Sequence, residues 1–461
     1  MASTQFTKTY TSDGNRRTMT FSFWFKRASG LGANQYLHSI YDTSSGYQAD
    51  IRLRTTDILR MYSTNTSGVT ALDLQTNRKF RDVNGWYHVV FAIDTTQATN
   101  TDRLKLWVNG VQETSFSSIT YPAQNTDLRW NGNNNADTGG VNYIGSINSG
   151  QYFDGSMAHF HFIDGTAYAA SDFGETDSTT GIWKPILTPS VTYGTNGFFL
   201  NFENTSDFGE DSSGNNNDWT LGGTMTQTID TPSNVFATLN PLDNATAVDF
   251  TLSNGNTTLG DNGSGDNDKG LRATLGVSSG KYYWEIKKLE TGGTIGILGS
   301  EVNIGSGDVV NNASSNSYHV GSNGSSSNIV YWQNGNFVNS SALQGWAAND
   351  IMGVALDMDN GKLFLSINGV FKGFDNNTSD PANGTNANFT GIATDGTIFI
   401  PYAEKRGTAN PSDNFNFGNG YFGTTAVSSA GTNAGIGTFE YDVPSGYKAL
   451  CTKNINAEEY S

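Results

Sequence analysis

Residues 351–374 read IMGVALDMDNGKLFLSINGVFKGF, and the punctuation inside this stretch decides the fold. Two apolar runs, IMGVALDM and KLFLSI, are split by Asp359-Asn360-Gly361, and a second break at Asn368-Gly369 precedes VFKGF. Asn and Gly tolerate the positive φ angles that tight hairpin turns require. The stretch therefore predicts three antiparallel strands in a meander. Residues 85–111, GWYHVVFAIDTTQATNTDRLKLWVNGV, repeat the same grammar: an apolar strand ending in Asp, a polar turn, then KLWVNGV in place of KLFLSINGV. One antiparallel design occurs twice in the chain.

Outward from these two anchors the strand signals continue. Residues 18–26, TMTFSFWFK, alternate polar and aromatic side chains with the period of a half-buried strand. Residues 35–41, 50–54, 141–146, 155–163 and 197–203 extend the first series, and 173–186 (FGETDSTTGIWKPI) read as an irregular excursion. Residues 281–287, 294–298, 317–320, 329–332, 397–402 and 414–417 form the second series. No long segment carries a 3.6-residue apolar period. At 461 residues the chain is too long for one ordinary core. The expected architecture is all-β: two antiparallel β-sandwich (jelly-roll) domains in tandem. The boundaries expected are 1–205 for the first sandwich, 206–234 for a polar connector, 235–450 for the second sandwich and 451–461 for a C-terminal tail. The connector is expected because Gly, Ser, Asn and Asp crowd residues 210–234.

Composition excludes several function classes. The net charge of −17 repels phosphates, so no nucleic acid is expected as a partner. No apolar run approaches the roughly 20 residues that span a bilayer, so no membrane insertion is expected. Cys451 is the single cysteine, which rules out an intrachain disulfide. The first residues, MASTQFTKTYTSDGN, have no apolar signal core. The expectation is a protein made in a cytoplasm that leaves it by lysis or inside an assembly.

TFSFWFKR, GWYHVVFAID, LKLWVNGV, YIGS and FDGSMAHFHFIDGTAY, in that order over residues 18–168, resemble the laminin-G-like, concanavalin-type jelly roll. That resemblance implies two antiparallel sheets and ligand binding, often of carbohydrate, at one edge. GVSSGKYYWEI, NDIMGVALDMDNGKLFLSINGV, IFIPYA and NFNFG, over residues 270–418, are similar to the SPRY (B30.2) domain. That family implies a bent antiparallel sandwich whose loops bind proteins, without catalysis. Lectin-like and SPRY-like sandwiches in one cysteine-poor chain look like the structural proteins of tailed bacteriophages.

Candidate site residues follow from chemistry. Trp130 in DLRWNGNNN stands beside Asn131, Asn133, Asn134 and Asn135, and Trp332 in IVYWQNGN also precedes an Asn-Gly turn. An indole covers the C–H face of a sugar while amides bond its hydroxyls. The competing reading makes each Trp an anchor of a strand end in the core; it is preferred for Trp332 and left open for Trp130. Asp261, Asp266 and Asp268 offer oxygen ligands for calcium on a flexible loop, against the plainer reading of a solvated turn. Asp154 occupies a place where the laminin-G-like resemblance implies an acidic calcium loop. His159 and His161, two apart on one strand, are read as the wetter face opposite Phe160 and Phe162, and with His88 they invite comparison with a metal set. Concanavalin-type glucanases carry E-x-D-x-x-E; the nearest string here runs from Glu285 to Glu290 with Lys287 where the Asp belongs. The function expected is therefore a non-enzymatic virion protein, on tail fibre or capsid, homo-oligomeric within the particle. Its expected partners are host-surface glycan, held by the loops of the first domain, or other virion proteins. A polysaccharide depolymerase is the alternative.

Overall fold

In the computed structural model both Asn-Gly breaks are turns of one geometry. Asn368 and Gly369 have φ of +48° and +78°; Asn109 and Gly110 have +48° and +79°. Two consecutive positive φ values are the requirement of a type I′ hairpin. Around the first lie strands Ile351–Asp357, Lys362–Ile367 and Val370–Phe371, and around the second Tyr87–Asp94, Leu104–Val108 and Val111–Glu113. The repeated meander is real in both halves. The structure describes residues 3–43, 45, 48–65, 67–133, 140–244, 250–261, 269–305, 309, 315–322, 328–405 and 412–459. Strand accounts for 45% of the chain and helix for 3%, so the protein is all-β.

The chain divides into two compact units, residues 1–227 with 231–233 and residues 228–230 with 234–461. In the first unit an eight-stranded antiparallel sheet runs Phe116–Thr120, Thr70–Lys79, Ile58–Thr64, Gln48–Leu53, Gln35–Tyr41, Val141–Ile144, Gln5–Lys8, Thr220–Gly222. A six-stranded sheet runs Phe198–Leu200, Gly155–Asp164, Thr18–Arg27, Tyr87–Asp94, Leu104–Val108, Val111–Glu113. The alternation of Thr18–Arg27 separates its faces. Phe21, Phe23 and Phe25 enter the core against Ile51, Leu59 and Met61 of the larger sheet. Trp24, on the other face, stacks on His88 at 4.5 Å.

Residues 206–227 of the expected connector, 206–234, belong to the first sandwich. Trp219 is 2% exposed, Phe208, Leu221 and Met225 pack on the first core, and Thr220–Gly222 pairs with Gln5–Lys8. Asp211 accepts the Phe199 amide at 2.9 Å. Four apolar side chains spaced through a polar stretch suffice to dock it, which average composition conceals. The first sandwich therefore runs to residue 227.

In the second unit a seven-stranded sheet runs Leu239–Asn244, Lys269–Ala273, Phe399–Lys405, Thr294–Gly299, Ser317–Ser322, Asn328–Gln333, Asn336–Gln344. The second sheet has Lys281–Lys288 at its centre, and the meander runs from there to the edge at Val370–Phe371. Residues 451–459 of the expected tail are folded: Cys451 is buried and its backbone pairs with that of Phe236, and Thr452–Glu459 is a helix. The Thr452 amide donates to the Val235 carbonyl at 2.9 Å, tying the two termini of this unit together.

Candidate functional site

The loop expected to present an indole does not. Trp130 is 0% exposed, with its ring 5.0 Å from Phe21 in an edge contact and 5.2 Å from His38. It is a core residue of the first sandwich. Asn131 is buried beside it at φ +65°. Its amide donates to Asp164 at 2.6 Å and to the Asn15 carbonyl at 3.1 Å, and its oxygen accepts from Asn196 at 2.9 Å. These bonds staple three loops rather than await a ligand. The Asn133 amide donates to Asp13 at 2.6 Å; Asn134 and Asn135 lie outside the described residues. Trp332 is 2% exposed within Asn328–Gln333, its ring 5.3 Å from Phe337. Neither indole has a face to offer a sugar.

The metal candidates fare no better. Asp154 pins a turn, accepting Ser29 Oγ at 2.9 Å on its side chain and the Ala28 amide at 3.0 Å on its carbonyl. Asp261 ends the strand Thr258–Asp261, while Asp266 and Asp268 lie outside the described residues. Among the described residues no three His, Cys, Asp or Glu side chains are grouped to hold a metal.

Glu285 is structural. It is fully buried and accepts the amides of Glu440 and Tyr441 at 2.8 and 2.9 Å and the Tyr283 hydroxyl at 3.1 Å. Burial pushes its carboxyl up to about 7, against those hydrogen bonds. The neighbouring Lys288 makes a buried ion pair with Asp413 at 2.7 Å.

The histidine face is covered: His88 and His161 are buried and His159 is half-buried. A bulge between Ala158 and His161 puts His159 at φ +47°, and His161 stacks on Phe199 at 4.0 Å. The excursion 173–186 is the reason. It forms a hairpin, Gly174–Thr176 with Trp183–Pro185, and Tyr168, Phe173, Trp183, Val191 and Tyr193 pack over this face of the six-stranded sheet. Burial lowers His88 to about 3 and His159 to about 4, and holds His161 well below the ordinary range.

The strongest polar constellation lies on strands the sequence reading did not single out, Ile58–Thr64 and Thr70–Lys79. Their inward residues, Leu59, Met61, Leu72 and Leu74, fill the core. Their outward residues form two cross-strand rows. One row is Tyr36, Arg52, Arg60, Gln75; the other is Tyr143, Ser39, Asp50, Tyr62, Asp73. Side chains directly opposite on neighbouring strands touch, and here they interlock. Arg60 clamps Asp73 with two bonds, at 2.7 and 2.9 Å, and lies 4.2 Å from the Tyr62 ring centre. Arg52 lies 5.1 Å from the Tyr36 ring centre, bonds its hydroxyl, and approaches Asp50 at 3.4 Å. Asp50 is 0% exposed, and burial pushes its carboxyl up to about 6 although Arg52 and Arg60 pull it down. The rows combine aromatic rings with planar donors and acceptors whose orientations are already set. Asp73 is clamped by Arg60, while Asp50 Oδ2 accepts from Gln48 at 3.3 Å and its Oδ1 has no hydrogen-bond partner.

The second unit holds a cavity of about 290 Å³. Ile329, Met352 and Leu365 form its apolar wall, and Asp350, Val370 and Lys372 lie at its rim. Asp350 accepts from the Ala347 amide and the Asn368 side chain at 2.7 and 2.8 Å, while Lys372 Nζ donates to the Asn376 carbonyl at 3.3 Å.

Residues 2–171 match the family model described as the concanavalin A-like lectin/glucanases superfamily, of the laminin-G type. No curated protein matches the chain. Solved structures similar to part of it include the TRIM65 PSpry domain, 16% identical over 39% of this chain and 91% of that one, with a TM-score of 0.28. The SPRY domain of human HERC1 is 16% identical over 38% of this chain and 96% of that one, TM-score 0.28. Stonustoxin is 12% identical over 39% of this chain and 28% of its own, TM-score 0.28.

Proposed function

We propose that the chain is a non-enzymatic adhesion protein of a tailed-phage virion, and that its first sandwich holds host-surface polysaccharide across the two outward rows of the larger sheet. The observation that carries this reading is the preassembled lattice of the half-buried Arg52, Arg60, Tyr62 and Asp73 on one sheet face, seated on the buried Tyr36 and Asp50. A polyhydroxylated chain needs fixed donors and acceptors beside aromatic surface, because each hydrogen bond alone contributes only about 1 kcal/mol net in water. Ordering these side chains in advance lowers the entropy lost on binding. The superfamily of the first unit includes lectins and glucanases. Recognition is favoured over hydrolysis because Glu285 is consumed by backbone amides and Asp73 by Arg60.

Binding of the full chain to envelope polysaccharide of the host, measured by co-sedimentation, tests the site. Arg60→Ala and Tyr62→Ala should each weaken it at least about tenfold, the scale of one lost interaction of ~1.4 kcal/mol. Unchanged affinity in both variants would remove the rows from the reading. Release of reducing sugar in the same mixtures would favour the depolymerase instead. Immunogold microscopy of particles tests the virion assignment.

A second reading, attachment to another virion protein, is favoured by the cavity of the second unit, whose apolar wall and Lys372 rim suit an apolar side chain next to a carboxylate. Lys372→Glu would weaken such a contact while leaving polysaccharide binding unchanged.

A further inference from the structure

We infer that residues 165–197 form an acid-released flap, latched to the six-stranded sheet through the hydrogen bond between Trp183 and His88. This goes beyond the adhesion reading and does not depend on it.

The latch is a fitted slot. The Trp183 indole N–H donates to His88 Nδ1 at 3.0 Å. A Cβ on Gly110 would come within 2.7 Å of the Trp183 ring, and one on Gly174 within 2.5 Å. The type I′ turn of one hairpin and the start of the other thus leave room for the indole because both positions are glycine. Since an indole nitrogen only donates, His88 Nδ1 must carry a lone pair while the flap is shut. The neutral ring then keeps its proton on Nε2, which donates to Ser22 Oγ at 2.9 Å. A second contact repeats the theme: His161 Nδ1 and the Tyr193 hydroxyl of the flap are 2.9 Å apart.

Protonation of His88 places a proton on Nδ1 facing the Trp183 proton. Two donors then meet in a dry slot, and the flap is the movable partner. Among the described residues no carboxylate acts on His88. The charged neighbours acting on His88 and His161 are other histidines, His159 included. On the flap, Lys184 is taken by Asp177 at 3.0 Å and Glu175 at 3.5 Å, and Asp172 accepts the Ala169 amide at 2.8 Å. On the sheet, Lys26 is buried along the Trp24 strand, and Lys105 pairs with Asp102 at 3.0 Å. Opening would uncover Val90, Ile163 and Trp107, the apolar sheet residues packed with Phe173, Trp183 and Tyr193 of the flap.

The sign follows from linkage. His88, His159 and His161 bind protons more weakly when covered than when exposed. The shut state is therefore favoured above the ordinary histidine pKa of about 6.5, and opening grows as pH falls below it. Well below pH 6.5 each histidine freed raises the open population about tenfold per pH unit, so one freed histidine gives about 50-fold between pH 6.5 and 4.5.

Hydrogen exchange of the full chain, corrected for intrinsic rates, tests the flap. Amides of residues 165–197 should lose protection as pH falls from 7.5 to 4.5, while those of Thr18–Arg27 and Tyr87–Asp94 keep theirs. His88→Gln supplies a carbonyl acceptor for Trp183 that cannot be protonated, and should flatten the profile by about tenfold per pH unit. Trp183→Phe removes the donor aimed at Nδ1, so it should raise opening at pH 7.5 and make the pH dependence shallower. Unchanged protection of residues 165–197 in the wild type, simultaneous loss across the whole unit, or an unaltered profile in whichever variant folds would each overturn the inference.

Discussion

Truncation of Trp130 to Ala is the sharpest test of how the first sandwich is assembled. The indole is wholly enclosed, in edge contact with Phe21 at 5.0 Å and beside His38 at 5.2 Å, in a part of the core that also holds Phe162 and Ile40. Removing a buried Trp side chain costs about 3–5 kcal/mol through lost transfer energy and the cavity left behind. One feature lowers that figure: the indole N–H has no hydrogen-bond partner. A buried unmet donor already costs the native state about 1–3 kcal/mol. The expected loss is therefore near the lower end, about 3 kcal/mol. For a unit of this size each kcal/mol moves the melting midpoint by about 2–4 °C, so the first unit should melt about 6–12 °C lower. Trp130→Phe keeps an aromatic edge against Phe21 and deletes the orphan donor, so it should cost under about 1.5 kcal/mol. Scanning calorimetry of the full chain reads both. A shift under about 2 °C for Trp130→Ala, with polysaccharide binding abolished, would put the indole back at the surface and refute this account of the core.

Other outcomes follow from the same structure. Lys288→Ala strands Asp413 without its 2.7 Å partner and should cost the second unit about 3–5 kcal/mol in chemical denaturation, whereas Lys288→Met with Asp413→Leu should recover most of it. Glu285 holds its proton more tightly folded, at about 7, than unfolded, at 4.5. Its contribution is thus fully present below 4.5 and is lost as pH rises towards 7, a slope that Glu285→Gln should reduce in melting curves taken at each pH. Gly110→Ala forces a Cβ against the Trp183 ring at φ +79°, so limited proteolysis should cut residues 177–182 faster at pH 7.5 than in the wild type.

Much of the fold was legible because it rests on local rules. Asn-Gly at 109–110 and 368–369 dictates positive φ at two successive residues, which selects one turn and so one strand pairing. Alternation in TMTFSFWFK sends Phe21, Phe23 and Phe25 to one side whatever the partner strand. The site was not legible for the converse reason. A residue's exposure depends on what lies over it, and that is supplied from far along the chain. Trp130 and its amides looked like a sugar platform until Asn15, Asp164 and Asn196 closed around them. The histidine strand looked wet until residues 165–197 folded across it. The polar stretch 206–227 looked like a linker until Trp219 found the first core.

By itself, then, the sequence determined the all-β class, the two meanders and their turns, and the inward aromatics of the central strands. Each depends on backbone dihedrals or on period-two alternation, which act between near neighbours. The tertiary structure alone decided which aromatic faces are covered, where the first unit ends, and that Tyr36, Arg52, Arg60, Tyr62 and Asp73 meet on one sheet face. Those outcomes depend on strand register and on side chains brought together across long separations, and no local pattern encodes them.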